Sequence, residues 1–163
     1  MNKTKKLVTL AVVVSLAMVL SYLERLLPEP PIPGIKLGLA NIAVVFALYK
    51  LGKWEALVIS LVRVMVLSMI FGTFVSFLYA ISGAIVSFLL MLLLKCITPL
   101  NTVTVSIVGA ISHNLAQIGV ACFLFETNLI IYYLPFLLIS GTVAGLAIGT
   151  AGALLIKRVK IKW

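Results

Sequence analysis

The sequence predicts an all-α fold, namely a polytopic membrane protein built as a bundle of six transmembrane helices. Of the 163 residues, 63% are hydrophobic and only 10% are charged, and the mean hydropathy is +1.27. A soluble domain carries about 25% charged residues. The apolar residues are grouped in runs close to the roughly 20 residues that cross a bilayer as a helix. A single integral membrane domain, residues 1–163, accounts for the whole chain.

The ends of the apolar runs are marked by charges, prolines or glycines. We predict spans at about 7–27, 37–51, 54–71, 74–95, 102–125 and 129–156. The first run is expected to be retained, because no small-residue cleavage site of a signal peptide follows it. Pro135 is expected to kink the last helix. The small residues Gly141, Gly145 and Gly149 in that helix are expected to pack against a neighbouring helix.

The cations are distributed unevenly over these ends. Because each span crosses the membrane, successive span ends fall alternately on its two sides. Ten of the thirteen Lys and Arg residues fall on the same side: Lys3, Lys5, Lys6, Lys50, Lys53, Lys95, Lys157, Arg158, Lys160 and Lys162. The positive-inside rule then predicts both termini in the cytoplasm of a prokaryotic cell, with the protein in the plasma membrane. The net charge of +9 is therefore accounted for by the orientation of the spans in the lipid bilayer. No nucleic-acid partner is expected.

The segment from Pro28 to Asn41 differs from the apolar runs around it. Four of the six prolines lie between Pro28 and Pro33, and proline prevents a regular helix because it lacks an N–H group. Rigid irregular backbone beside membrane helices is tolerated where it lines a cavity. The segment is therefore either the lid and rim of a binding site, with Lys36 and Asn41 at its end, or a stiff loop that only sets the spacing of helices.

Arg63 lies near the middle of the third predicted span. A cation there costs about 3 kcal/mol on insertion scales, so its side chain should face the bundle interior. It is either a structural arginine paired with carbonyl groups or a glutamate, or the recognition group for a carboxylate or phosphate. None of the four glutamates is placed by the sequence as an obvious partner at mid-membrane depth, so we expect an anionic ligand.

The fifth predicted span carries three polar residues close to one face. His113 and Gln117 are four positions apart, and Asn114 and Gln117 are three apart, so helical periodicity brings them together. They either line a cavity or form hydrogen bonds between helices.

The sequence lacks the residues that several common types of catalytic or metal site require. The four acidic residues are all glutamates, so no Asp-rich motif can hold Mg²⁺ on a diphosphate. The sequence contains no phosphate-binding loop of the G-x-x-x-x-G-K-[ST] type, and a single histidine does not suggest a zinc site. No serine or cysteine stands beside an orienting acid as a nucleophile would. We expect a protein that is not an enzyme, with no metal and no cofactor.

Three motifs together resemble a known family. They are the stretch Pro33-Gly34-Ile35-Lys36-Leu37-Gly38-Leu39-Ala40-Asn41, the intramembrane Arg63, and Ser112-His113-Asn114-x-x-Gln117. They resemble the small membrane proteins labelled heptaprenyl diphosphate synthase component I, also called Gx transporters. That family is similar to the substrate-binding S components of energy-coupling-factor (ECF) transporters.

The resemblance implies a six-helix protein that binds its ligand from the outer side, capped by the first loop. It also implies docking of the first helix, through small residues such as Ala11 and Ser15, on a membrane coupling subunit driven by ATPases. From the residues alone, Ala11 and Ser15 are explained equally well by packing within the bundle.

We predict an S-component-like subunit for uptake of a small anionic or amphipathic ligand. Arg63 would anchor the anion, Lys36 would guide it, and Asn41, His113, Asn114 and Gln117 would orient it by hydrogen bonds. The alternative is a non-catalytic membrane subunit of a prenyl-quinone synthesis or flavin/quinone-linked extracellular electron-transfer assembly.

Overall fold

The protein is all-helical in the computed structural model, which describes residues 3–28, 37–97, 100–127 and 129–159. The six α-helices are α1 (Lys3–Leu26), α2 (Asn41–Lys50), α3 (Lys53–Phe71), α4 (Phe74–Ile97), α5 (Thr102–Phe125) and α6 (Leu134–Arg158). A short 3₁₀ helix, Leu129–Tyr133, leads into α6. The predicted all-α bundle of six helices is confirmed.

Five of the helices are long and apolar enough to cross a membrane, and α2 is the exception. It has 10 residues and is therefore about 15 Å long, half the thickness of a hydrocarbon core. The helix predicted over 37–51 is thus shorter than expected. The residues before Asn41 form a turn instead, with Gly38 at a φ of 69°, a value that favours glycine.

The predicted kink at Pro135 is wrong. Pro135 lies in the first turn of α6, directly after the 3₁₀ helix. A proline is well tolerated there, because the N–H groups of a first turn have no partner within the helix. It therefore starts α6 and does not bend it.

Five helices form a closed ring in the order α2, α3, α4, α5, α6, with α6 returning to α2, and α1 packs outside the ring on α2 and α3. The six consecutive residues 43–48 of α2 are all buried. A helix that is apolar and covered on every side belongs to the buried core of its protein. The core accordingly forms around α2, where Val44, Val45 and Leu48 meet Ile59 of α3 and Val105 of α5.

The glycines of α6 pack directly on backbone, as predicted. A Cβ atom on Gly145 would lie 2.5 Å from the Cα atom of Ile107, and one on Gly149 would lie 2.7 Å from the Cα atom of Val103. Gly141 likewise faces α5 beside Asn114. Small residues at this stripe let α5 and α6 approach more closely than any side chain would permit.

Contacts between helix ends show how the chain alternates across the bundle. At one end Lys6 pairs with Glu55, and the Nζ atom of Lys95 donates to the Leu48 carbonyl at 2.6 Å. At the other end Arg25 donates to the Phe71 carbonyl at 3.4 Å. Helices α1 and α3 therefore run parallel, and α2 returns between them. We call the end with Lys6, Lys50, Lys53 and Lys95 the lysine-rich end.

The native cysteine next to Lys95 gives a direct test of the predicted orientation. Cys96 is exposed at the lysine-rich end, which the positive-inside rule assigns to the cytoplasm. In a Cys122→Ser variant, a membrane-impermeant maleimide should label Cys96 only after the cells are permeabilised. A Thr127→Cys control lacking both native cysteines should react in intact cells. The opposite pattern would invert the topology.

Candidate functional site

Arg63 is a buried cation in the interior of the bundle. It lies on the face of α3 that also carries the buried residues Ile59, Ser60 and Val64, and only 8% of its surface is exposed. Within the described part of the chain, its buried Nε atom has no hydrogen-bond partner. A buried charged group with an unused donor is costly unless something satisfies it.

Glu24, near the end of α1, is hydrogen-bonded to the turn that precedes α2. Its carboxylate accepts hydrogen bonds from two consecutive backbone N–H groups, those of Gly38 at 2.5 Å and Leu39 at 3.1 Å. These amides belong to the turn that leads into α2. A carboxylate at a helix N-terminus is stabilised by the positive end of the helix dipole. Glu24 therefore ties the C-terminal part of α1 to the start of α2.

The rise per residue of a helix places Arg63 and the start of α2 at about the same depth in the bundle. Helix α2 rises about 15 Å from Lys50 at the lysine-rich end to Asn41. Arg63 is about ten residues along α3 from Lys53, and hence also about 15 Å from that end. The shortness of α2 is what brings its N-terminus down to the level of the buried guanidinium.

The Glu24 carboxylate, held at the start of α2, lies within electrostatic range of Arg63 on the adjacent helix α3. From the sequence, no glutamate was an obvious partner for Arg63 at mid-membrane depth, and the structure identifies Glu24 as the acidic residue nearest in electrostatic terms. Glu24 was expected at the end of α1, and it does lie there, at the end away from the lysine-rich end. The side chain, however, binds the turn before α2, and that turn reaches into the bundle because α2 is a half-length helix.

The polar residues of α5 contact different neighbours. The imidazole of His113 lies against α4, where a Cβ atom on Gly83 would come 2.6 Å from its Cε1 atom. The Nδ2 atom of Asn114 donates to the Leu137 carbonyl of α6 at 2.8 Å. Asn114 thus makes the interhelical hydrogen bond of the alternative interpretation, and we leave it out of the proposed site. Gln117 is half-buried one turn beyond His113.

The ring places α4 between α3 and α5. His113 lies roughly 17 Å along α5 from Thr102, so it is close in depth to Arg63. Arg63 and His113 therefore share a level but stand on helices that flank α4. Whether they bind one ligand stays a prediction.

Four other residues were predicted to take part in binding or docking, namely Lys36, Asn41, Ala11 and Ser15. Lys36 lies outside the described residues. Asn41 is the first residue of α2, and its side-chain amide adjoins Gly38. Ala11 and Ser15 are exposed on α1, and the Oγ atom of Ser15 donates to the Ala11 carbonyl at 2.9 Å. Packing inside the bundle therefore does not account for the small residues at these two positions.

The chief residue missed at the sequence level is Glu24. The sequence did contain a signal for this role. Glu24 lies within one turn of the end of α1, and a glycine, Gly38, precedes α2. In the described residues, no group of three or more His, Cys, Asp or Glu side chains comes together as a metal site would require.

The fold and this site define a polytopic membrane protein with an arginine buried in α3 beside the half-length helix α2. The sequence matches the family described as heptaprenyl diphosphate synthase component I over residues 13–155, and the chain belongs to this family. Neither the curated proteins nor the solved structures gave a match to the chain.

Proposed function

We propose that the protein is a non-catalytic, S-component-like membrane subunit that binds a small anionic or amphipathic ligand for uptake. The observation that carries this proposal is the buried Arg63, whose Nε donor is unpartnered among the described residues, level with the N-terminus of α2. A guanidinium and a helix N-terminus both favour a carboxylate or phosphate. The two groups together form a site for an acidic group.

The surroundings suggest how the rest of a ligand would be held. Asn41, half-buried at the start of α2, offers an amide beside the anion position. His113 and Gln117 on α5 would contribute hydrogen bonds to a ligand large enough to reach past α4. Lys36 would attract the anion at the entrance. The apolar residues around Arg63, such as Ile59 and Val64, suit an amphipathic ligand.

The same proposal covers location and partners. The protein would lie in the plasma membrane with both termini in the cytoplasm. The exposed Ala11 and Ser15 on α1 would dock on a membrane coupling subunit that works with ATPases. The absence of aspartate from the sequence argues against catalysis of prenyl transfer by this chain, since Mg²⁺–diphosphate sites use clustered carboxylates.

A second function is favoured by the family description, which names a component of a synthase. In that case the chain would be a non-catalytic membrane subunit of a prenyl-quinone synthesis or electron-transfer assembly. Purification from native membranes separates the two functions. An ATPase pair with a coupling membrane protein would support uptake, whereas a soluble synthase or redox subunit would support the alternative.

The anion site is tested with the substitution Arg63→Gln, which removes the charge but keeps a polar side chain. Small molecules that co-purify with the parent protein would be identified by mass spectrometry, and their affinity would then be measured by thermal shift. Charged hydrogen bonds contribute about 1.5–3 kcal/mol, so Arg63→Gln should weaken binding by about 10- to 150-fold. Lys36→Gln should mainly slow capture.

Lys50→Gln is the matched control, because Lys50 lies at the other end of α2. It should leave ligand affinity unchanged. If Arg63→Gln retains the ligand as well as the parent does, or if the ligand is a cation, Arg63 is structural and the proposed anion site is wrong.

A further inference from the structure

Glu24 occupies the hydrogen-bond donors that an acidic ligand would use. The backbone N–H of Gly38 donates to the Oε1 atom of Glu24, and that of Leu39 donates to the Oε2 atom. The same carboxylate is held at the start of α2, which packs on α3, the helix of the buried Arg63. The chain therefore already carries, covalently attached to α1, an acidic group at the position where the ligand's acidic group is expected.

The Arg63 donors remain incompletely satisfied by this arrangement. Glu24 is held by backbone amides, and the Nε atom of Arg63 lacks a hydrogen-bond partner among the described residues. Glu24 thus lies near the buried cation but, among the described contacts, makes no hydrogen bond to it. A free anion that reached the guanidinium would add bonds that Glu24 does not make.

We propose that Glu24 is an internal competitor, which the ligand's carboxylate or phosphate group replaces at the Gly38 and Leu39 amides when it binds to Arg63. This inference rests on the proposed anion site. It adds that ligand affinity is held down by the chain's own carboxylate. Two anions beside one guanidinium repel each other strongly where water is scarce, so Glu24 must withdraw before the ligand is fully bound.

Release of Glu24 also gives ligand binding a structural consequence. The bonds to Gly38 and Leu39 are the described link between the end of α1 and the start of α2. When the ligand takes those amides, this end of α1 loses its hydrogen bonds to the start of α2 and keeps the Arg25–Phe71 contact with α3. Binding is then coupled to the position of α1, which packs outside the ring on α2 and α3.

The test uses inorganic phosphate as the probe, on the full chain in nanodiscs of zwitterionic lipid at constant ionic strength. Glu24→Gln removes the competing charge but keeps an oxygen that can accept from Gly38. It should lower the dissociation constant for phosphate by about tenfold relative to the parent. Adding Arg63→Gln to Glu24→Gln should abolish that gain. Size-exclusion chromatography and circular dichroism would establish that each variant is folded.

Two further variants separate charge from other effects. Glu24→Asp keeps the negative charge and should show no gain in phosphate affinity. Glu126→Gln removes a charge from the end of α5, where Glu126 is exposed, and should match the parent.

Each outcome decides one question. A gain in Glu24→Gln that depends on Arg63 supports the inference. If phosphate binding requires Arg63 but Glu24→Gln binds no better than the parent, the inference is overturned and the proposed anion site stands. If Glu24→Gln shows no phosphate binding at all, the inference is also overturned. If phosphate binds equally with and without Arg63, both the inference and the proposed anion site are wrong.

Discussion

Gly145→Ala should strongly destabilise the protein. The added Cβ atom would lie 2.5 Å from the Cα atom of Ile107 and 3.0 Å from the carbonyl oxygen of Ser106. Both are backbone atoms of α5, so the conflict can be relieved only if α5 and α6 move apart. Overpacking of this kind costs about 1–3 kcal/mol, and a clash with backbone belongs at the upper end. For a chain of this size, about 3 kcal/mol corresponds to a fall of about 6–12 °C in the melting temperature.

The measurement is a thermal melt in detergent followed by size-exclusion chromatography. Gly119→Ala is the matched control on the neighbouring helix α5, because nothing lies within 4 Å of a Cβ atom at that position. It should not lower the melting temperature, since alanine is the better helix former. Equal stability of the two variants would mean that α5 and α6 are not in the close contact described above.

Glu24→Ala should also be destabilising, and the loss should be recovered in part when Arg63 is replaced as well. Without Glu24, the Gly38 and Leu39 amides lose their acceptor and the buried Arg63 loses a compensating charge. Hydrogen bonds to a charged group contribute about 1.5–3 kcal/mol. Because Glu24 is only half-buried, we expect the lower part of this range.

A double-mutant cycle measures the coupling between the two charges. The stabilities of the parent, Glu24→Ala, Arg63→Leu and the double variant are compared in the same detergent. Interacting residues show coupling energies of about 0.5–3 kcal/mol, so the double variant should be more stable than the sum of the single effects predicts. Glu126→Ala combined with Arg63→Leu serves as the control pair and should be additive. Additivity for Glu24 and Arg63 would show that the two charges do not interact.

The consequence for function concerns the balance of charge at the site. In the proposed site, Arg63 alone would favour an anion, and Glu24 nearby would bring the charge of the empty site close to neutral. Such a protein can fold and insert without its ligand. This makes the stability cycle and the phosphate titration complementary, because Glu24 is expected to favour folding and oppose anion binding.

The sequence by itself was sufficient for the class and for most of the helices. Long apolar runs cannot be exposed to water, so hydrophobicity fixes the existence of α1, α3, α4, α5 and α6, and the glycines and charges between them mark their ends to within a few residues. The burial of Arg63 followed in the same way, because a guanidinium facing lipid is too costly. The packing of the α6 glycines on α5 was likewise predictable from their spacing.

Tertiary structure decided what surrounds these residues. Periodicity placed His113 and Asn114 close to one face, yet adjacent positions on a helix point about 100° apart, so one meets Gly83 of α4 and the other meets Leu137 of α6. The turn around Gly38 determines where α2 starts, and therefore how long α2 is. That length sets the depth of the Gly38 and Leu39 amides, and therefore brings Glu24, remote from Arg63 in sequence, within electrostatic reach of it. Distances between helices are properties of the packed bundle, and local sequence patterns do not contain them.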